Sequence, residues 1–87
     1  MQNILILEDI PDAQRWLSAA LDDAFDEIEI TYSSTLAQAL ELTLKKEFDI
    51  ALIDLKLPDG SGVDAIRQIK RLFPQTLCIV VTIYDDD

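Results

Sequence analysis

Eighty-seven residues with 17 acids, 7 bases and no histidine carry a formal net charge of −10, and 49% of them are apolar. That length makes one small domain, residues 1–87, burying about 60–65% of the surface its unfolded chain exposes; the apolar share and a charged fraction of 28% exclude a disordered chain. Residues 1–30 hold eight acids against one base, Arg15, residues 31–84 hold six of each, and Asp85 to Asp87 add three more acids, so no basic stripe exists for direct nucleic-acid binding.

The one cysteine, Cys78, stands among apolar residues and reads as a buried thiol in a reducing compartment. The N-terminus lacks a signal peptide's basic region and apolar core, and no apolar stretch approaches membrane-spanning length. The expectation is a cytoplasmic protein without membrane contact.

In chain order, Ile4, Leu5, Ile6 and Leu7 form a first strand, about residues 3–8, that runs into Glu8 and Asp9. Pro11 suits a helix's first turn, and Trp16, Leu17, Ala20, Leu21 and Ala24 recur at helical spacing, predicting a helix over about 11–24. Ile28-Glu29-Ile30-Thr31-Tyr32 alternates as a half-solvated edge strand does. Ser34 or Thr35 caps a second helix, about 35–47, with Leu36, Ala39, Leu40 and Leu44 as its apolar stripe. Residues 49–54 hold a continuous apolar run, Ile50 to Ile53, suited to a strand buried on both faces and ending in Asp54. Pro58-Asp59-Gly60-Ser61-Gly62 then forces a loop. Ser61 and Asp64 have capping-box spacing and open a third helix, about 62–72, with Val63, Ile66 and Ile69 inward; Pro74 ends it. Leu77 to Val81 is a fourth apolar strand with Thr82 at its end. The order βαβαβαβ with short loops and right-handed crossovers gives an α/β fold with a doubly wound parallel sheet.

Ligands of such sheets bind at the carboxyl edge, and two strands deliver Glu8, Asp9 and Asp54 there. Convergent carboxylates repel one another unless a cation offsets them. With no histidine and one cysteine the donors are hard oxygens, which suit Mg²⁺ or Mn²⁺ and not zinc. An aspartate can also attack phosphorus, giving an acyl phosphate, when metal and hydrogen-bond donors offset the phosphoryl charge. Asp54 is the candidate acceptor.

On Ile-Leu-Ile-Leu-Glu-Asp at 4–9, Ile-Asp-Leu-Lys-Leu-Pro-Asp-Gly-Ser-Gly at 53–62 and Ile-Val-Val-Thr at 79–82, the whole chain resembles the receiver domain of two-component response regulators, particularly those fused to helix-turn-helix DNA-binding output domains. The resemblance implies a flavodoxin-like sheet in the order 2-1-3-4, incomplete because the family's fourth helix, fifth strand and fifth helix find no match in residues 1–87. It also implies that a sensor histidine kinase or small phosphodonor phosphorylates Asp54, which relays the signal to an output domain outside this chain. Asp9 would bind Mg²⁺ or Mn²⁺ directly, Glu8 mostly through metal-bound water, and Asp54 and the Lys56 main-chain carbonyl would complete the protein ligands. The Thr82 hydroxyl would donate to a phosphoryl oxygen. Such a domain is no enzyme beyond its own phosphorylation and dephosphorylation.

Departures from the family pattern shape the expectation. The lysine and switch aromatic of the fifth strand have no counterpart, so a truncated receiver that takes phosphate poorly is expected. Ile83 is large where the family is often small, and Lys56 and Tyr84 stand where the family tunes acyl-phosphate hydrolysis. The alternative is a degenerate receiver serving as a protein-interaction module. A haloacid-dehalogenase-type phosphatase would need an aspartate where Lys56 stands, and a mononucleotide site would need a glycine-rich loop in place of Glu8-Asp9-Ile10-Pro11-Asp12. The uncharged edge from Leu77 to Ile83 predicts a homo-oligomer, most simply a two-fold dimer paired or swapped through that strand.

Overall fold

The computed structural model describes residues 1–81. In chain order these form β1 (Gln2–Leu7), α1 (Pro11–Ala24), β2 (Ile28–Ser33), α2 (Leu36–Lys45), β3 (Ile50–Ile53), β4 (Lys56–Leu57), β5 (Gly60–Ser61), α3 (Gly62–Leu72) and β6 (Leu77–Val80). Four strands make one parallel sheet in the order β2-β1-β3-β6, while β4 and β5 pair as a separate antiparallel hairpin. The expected order of the four long strands is therefore the observed one. The hairpin starts just before Pro58, and its second strand lies inside the stretch from Pro58 to Gly62 expected to be only a loop.

Burial explains the central strands. Ile4, Leu5, Ile6 and Leu7 of β1 are fully buried, as are Ala51 and Ile53 of β3, because both sheet faces are covered. On one face Leu17 of α1 packs with Ile4, Ile6, Ile50 and Leu52. On the other, Leu36 and Ala39 of α2 and Ala65 and Ile69 of α3 pack with Leu5, Leu7, Ala51, Ile53 and Phe48. Helices on both faces of a parallel sheet define the doubly wound architecture.

The helix boundaries fall close to expectation, but the buried faces differ in places. Helix α1 turns Ala13 and Leu17 inward and leaves Trp16 66% exposed, since neighbouring residues on a helix point about 100° apart and only one narrow stripe meets the sheet. In α2 the buried polar Thr43 replaces the expected Leu44, which is 67% exposed. Thr43 satisfies its hydroxyl by donating to the Ala39 carbonyl at 3.0 Å and accepting from Gln68 Nε2 of α3 at 2.7 Å. Val63 is likewise exposed, with Ala65 taking the inward place in α3. The Ser61 hydroxyl caps α3 by accepting from the Val63 amide at 3.2 Å, while Asp64 sits near Arg67. Cys78 is only partly buried; burial raises its thiol pKa, against the lowering effect of Lys70.

Strand β6 is outermost among the described residues, with Leu77, Ile79 and Val80 exposed. Thr82, Ile83 and Tyr84 lie outside the described residues. No helix among the described residues is long and apolar enough to cross a membrane.

Candidate functional site

The parallel register sets Leu7 beside Ile53, so the next residue on each strand emerges at the same carboxyl edge. The Asp54 amide continues the ladder by donating to the Leu7 carbonyl at 2.9 Å, and the Glu8 amide donates to the Ser33 carbonyl at 3.0 Å. Glu8, Asp9 and Asp54 thereby converge, each offering a carboxylate oxygen, all within 4.8 Å of one another. These are three of the residues assigned from sequence as metal ligands. The main chain at Lys56 adjoins them, its amide donating to Asp54 Oδ1 at 3.1 Å; the fifth assigned residue, Thr82, lies outside the described residues.

Charge is concentrated where water is scarce. Glu8 is 1% and Asp54 7% exposed, while Asp9 stays partly open to solvent. Glu8 Oε1 accepts from the Ile10 amide at 3.1 Å, but Glu8 Oε2 is buried without a hydrogen-bond partner among the described residues. Burial pushes the Glu8 pKa up from 4.5 to about 7; the Ile10 hydrogen bond opposes the rise, and the negative charge of Asp54 adds to it. A buried, orphaned carboxylate oxygen beside two more carboxylates fits a hard divalent cation, because all-oxygen ligation offsets the repulsion and gives that oxygen its partner.

The raised pKa makes metal-free stability depend on pH. A carboxyl whose folded pKa exceeds its unfolded value favours folding while protonated, so its contribution is complete below about 4.5 and is lost as pH rises through about 7. Glu8→Gln is expected to remove that loss. Urea unfolding of both proteins without divalent cations, from pH about 5 to about 8, should show the variant gaining on the original as pH rises. Parallel stability curves would refute the assignment.

The loop after β3 holds features that sequence reading assigned to no role. Gly62, at the start of α3, lies so close to Asp54 that a Cβ there would come within 2.2 Å of its main-chain oxygen. The Asp59 carboxylate accepts from the amides of Leu36 at 2.7 Å and Ala37 at 2.9 Å, at the start of α2. The Pro-Asp-Gly cluster signalled a turn, but nothing local shows that its acid reaches a helix more than twenty residues upstream.

The profile of the response regulator receiver domain family matches residues 4–87. The response regulator protein PilR of Pseudomonas aeruginosa is 34% identical over 83 residues, covering 95% of this chain but only 18% of its own length. Among solved structures, the MaeR response regulator bound to beryllium trifluoride superposes with a TM-score of 0.82 at 30% identity, over 99% of this chain and 70% of that one. The receiver domain of the P. aeruginosa sensor histidine kinase PA1611, with a magnesium ion coordinated in its active site cleft, superposes with a TM-score of 0.78 at 27% identity, over 91% of this chain and 65% of that one.

Proposed function

Since this chain belongs to the response regulator receiver domain family, we propose that residues 1–87 are a phosphoacceptor unit in which Asp54 takes a phosphoryl group from a sensor histidine kinase or small phosphodonor and relays the signal to an output domain. Receiver domains are signalling domains and not enzymes. The observation that carries the proposal is the convergence of Glu8, Asp9 and Asp54 at the carboxyl edge of adjacent buried strands.

Asp54 Oδ1 is held by the Lys56 amide, which leaves Oδ2 as the attacking oxygen. The Asp54 Oδ2–phosphorus bond forms as the bond from phosphorus to the donor nitrogen or oxygen breaks, and the donor leaves with that electron pair. Glu8, Asp9, Asp54 and the Lys56 carbonyl would hold Mg²⁺ or Mn²⁺, which supplies positive charge to offset that of the incoming phosphoryl group. Thr82 is assigned the hydrogen bond to a phosphoryl oxygen. A cytoplasmic location agrees with a donor of this kind. The test is incubation with acetyl phosphate and Mg²⁺ followed by intact mass: a low yield of acyl phosphate on Asp54 is expected, and none at all would favour a degenerate interaction module.

A second reading concerns association. With Leu77 at 55%, Ile79 at 40% and Val80 at 48% exposed, β6 presents an apolar edge of the sort that recruits another strand. Two copies of this chain are proposed to pair their β6 strands antiparallel about a two-fold axis. Sedimentation at about tens of micromolar, a range in which modest apolar interfaces associate, should give a dimer, and Val80→Lys a monomer. A dimer unchanged by that lysine would be held together elsewhere.

A further inference from the structure

The β4–β5 hairpin carries the main chain that flanks Asp54, yet its ladder has only two residue pairs, Lys56 with Ser61 and Leu57 with Gly60. A hairpin that short is not stable alone. At its base, the Gly62 amide donates to the Leu55 carbonyl at 3.0 Å. At its tip, Asp59 reaches α2 with both carboxylate oxygens, and Gly60, at φ +152°, brings the backbone against the Leu36 side chain. L side chains rarely adopt that φ, so glycine permits this seating.

Helix α2 does not need Asp59 for its own cap. The Thr35 side chain already accepts from the Gln38 amide at 3.2 Å, as a local N-cap does. Asp59 instead takes the amides of Leu36 and Ala37, which the local cap leaves free, and the helix dipole favours its negative charge there. Those two amides hold its carboxyl below the ordinary range. The contact also closes a ring through the acid site. From Asp54 the path runs along the hairpin to Asp59, across to the start of α2, back along the chain to Ser33 at the end of β2, and from the Ser33 carbonyl to the Glu8 amide.

We propose that Asp59 is a positioning residue for the Asp54 site: by tethering the hairpin tip to the start of α2, it fixes the Lys56 main chain, whose amide orients the Asp54 carboxylate. This rests on the phosphoacceptor reading of Asp54 for its consequence, though the tether itself is measurable without phosphoryl transfer.

Amide hydrogen exchange by NMR on this chain and its Asp59→Ala variant tests the tether, with Leu5 and Ile6 in β1 reporting whether the fold is intact. Exchange at Lys56 is expected to speed up about tenfold, the factor for losing roughly one net hydrogen bond. Asp59→Asn, which keeps one acceptor oxygen, should recover part of the protection; it also serves as the readout if the alanine variant unfolds. With excess Mg²⁺, acyl-phosphate formation from acetyl phosphate should slow in the same order. If only the Leu36 and Ala37 amides exchange faster while Lys56 keeps its protection, Asp59 is a helix cap and nothing more. Faster Lys56 exchange in a chain whose original form takes no phosphoryl group would uphold the tether and refute the phosphoacceptor reading.

Discussion

Asp54→Asn is expected to abolish acyl-phosphate formation while leaving the fold at least as stable as before at neutral pH. The side-chain amide has almost the carboxylate's shape, so the Leu7 ladder bond and the Lys56 contact to Oδ1 are retained. What disappears is the negative charge, and with it the proposed nucleophile. Loss of that charge also removes one of the effects that raise the Glu8 pKa, so Glu8 ionises more readily in the variant and the metal-free site is less strained at pH about 7. Chemistry and stability should therefore move apart, which separates loss of the acceptor from loss of the fold. Intact mass after acetyl phosphate and Mg²⁺, beside urea unfolding of the same samples, makes the measurement. Persistent acyl phosphate in the variant would move the acceptor to Glu8 or Asp9.

The largest effect on stability is expected from Gly62→Ala. An alanine normally gains up to about 1 kcal/mol over glycine inside a helix, and Gly62 is the first residue of α3. Here the added Cβ would lie 2.2 Å from the Asp54 main-chain oxygen and 2.6 Å from Ile53 Cγ2. The first neighbour is backbone of a central strand end, so relief requires α3 to lift from β3, opening the packing of Ala65 and Ile69. Overpacking of this kind costs about 3 kcal/mol, more than the propensity gain and a large part of the stability of so small a domain. Urea unfolding should show a clear fall in midpoint, and the displaced Asp54 should lose acyl-phosphate yield in the population still folded. A variant as stable as the original would mean that α3 sits farther from β3 than the structure places it.

Local sequence was enough for much of this. The run Ile4 to Leu7 before Glu8 and Asp9, and Ile50 to Ile53 before Asp54, determined two central parallel strands with acids at their ends, because residues apolar on both faces admit few other uses. Pro11, Ser34 or Thr35, and Ser61 marked the three helix starts through the backbone donors a helix leaves free, and the structure chose Thr35 of the middle pair. The receiver resemblance rests on the two acid-ended stretches, at 4–9 and 53–62, and on Ile79 to Thr82. Which side of each helix is buried was decided only by packing: Trp16, Leu44 and Val63 fit an apolar stripe by spacing, but the sheet beneath each helix accepts one narrow face. The hairpin after β3, the close approach of Gly62 to Asp54 and the reach of Asp59 to α2 were also tertiary outcomes. Each joins residues whose proximity depends on how β3, α2 and α3 stack, and periodicity reports the face a residue presents along its own element, never the distance between elements.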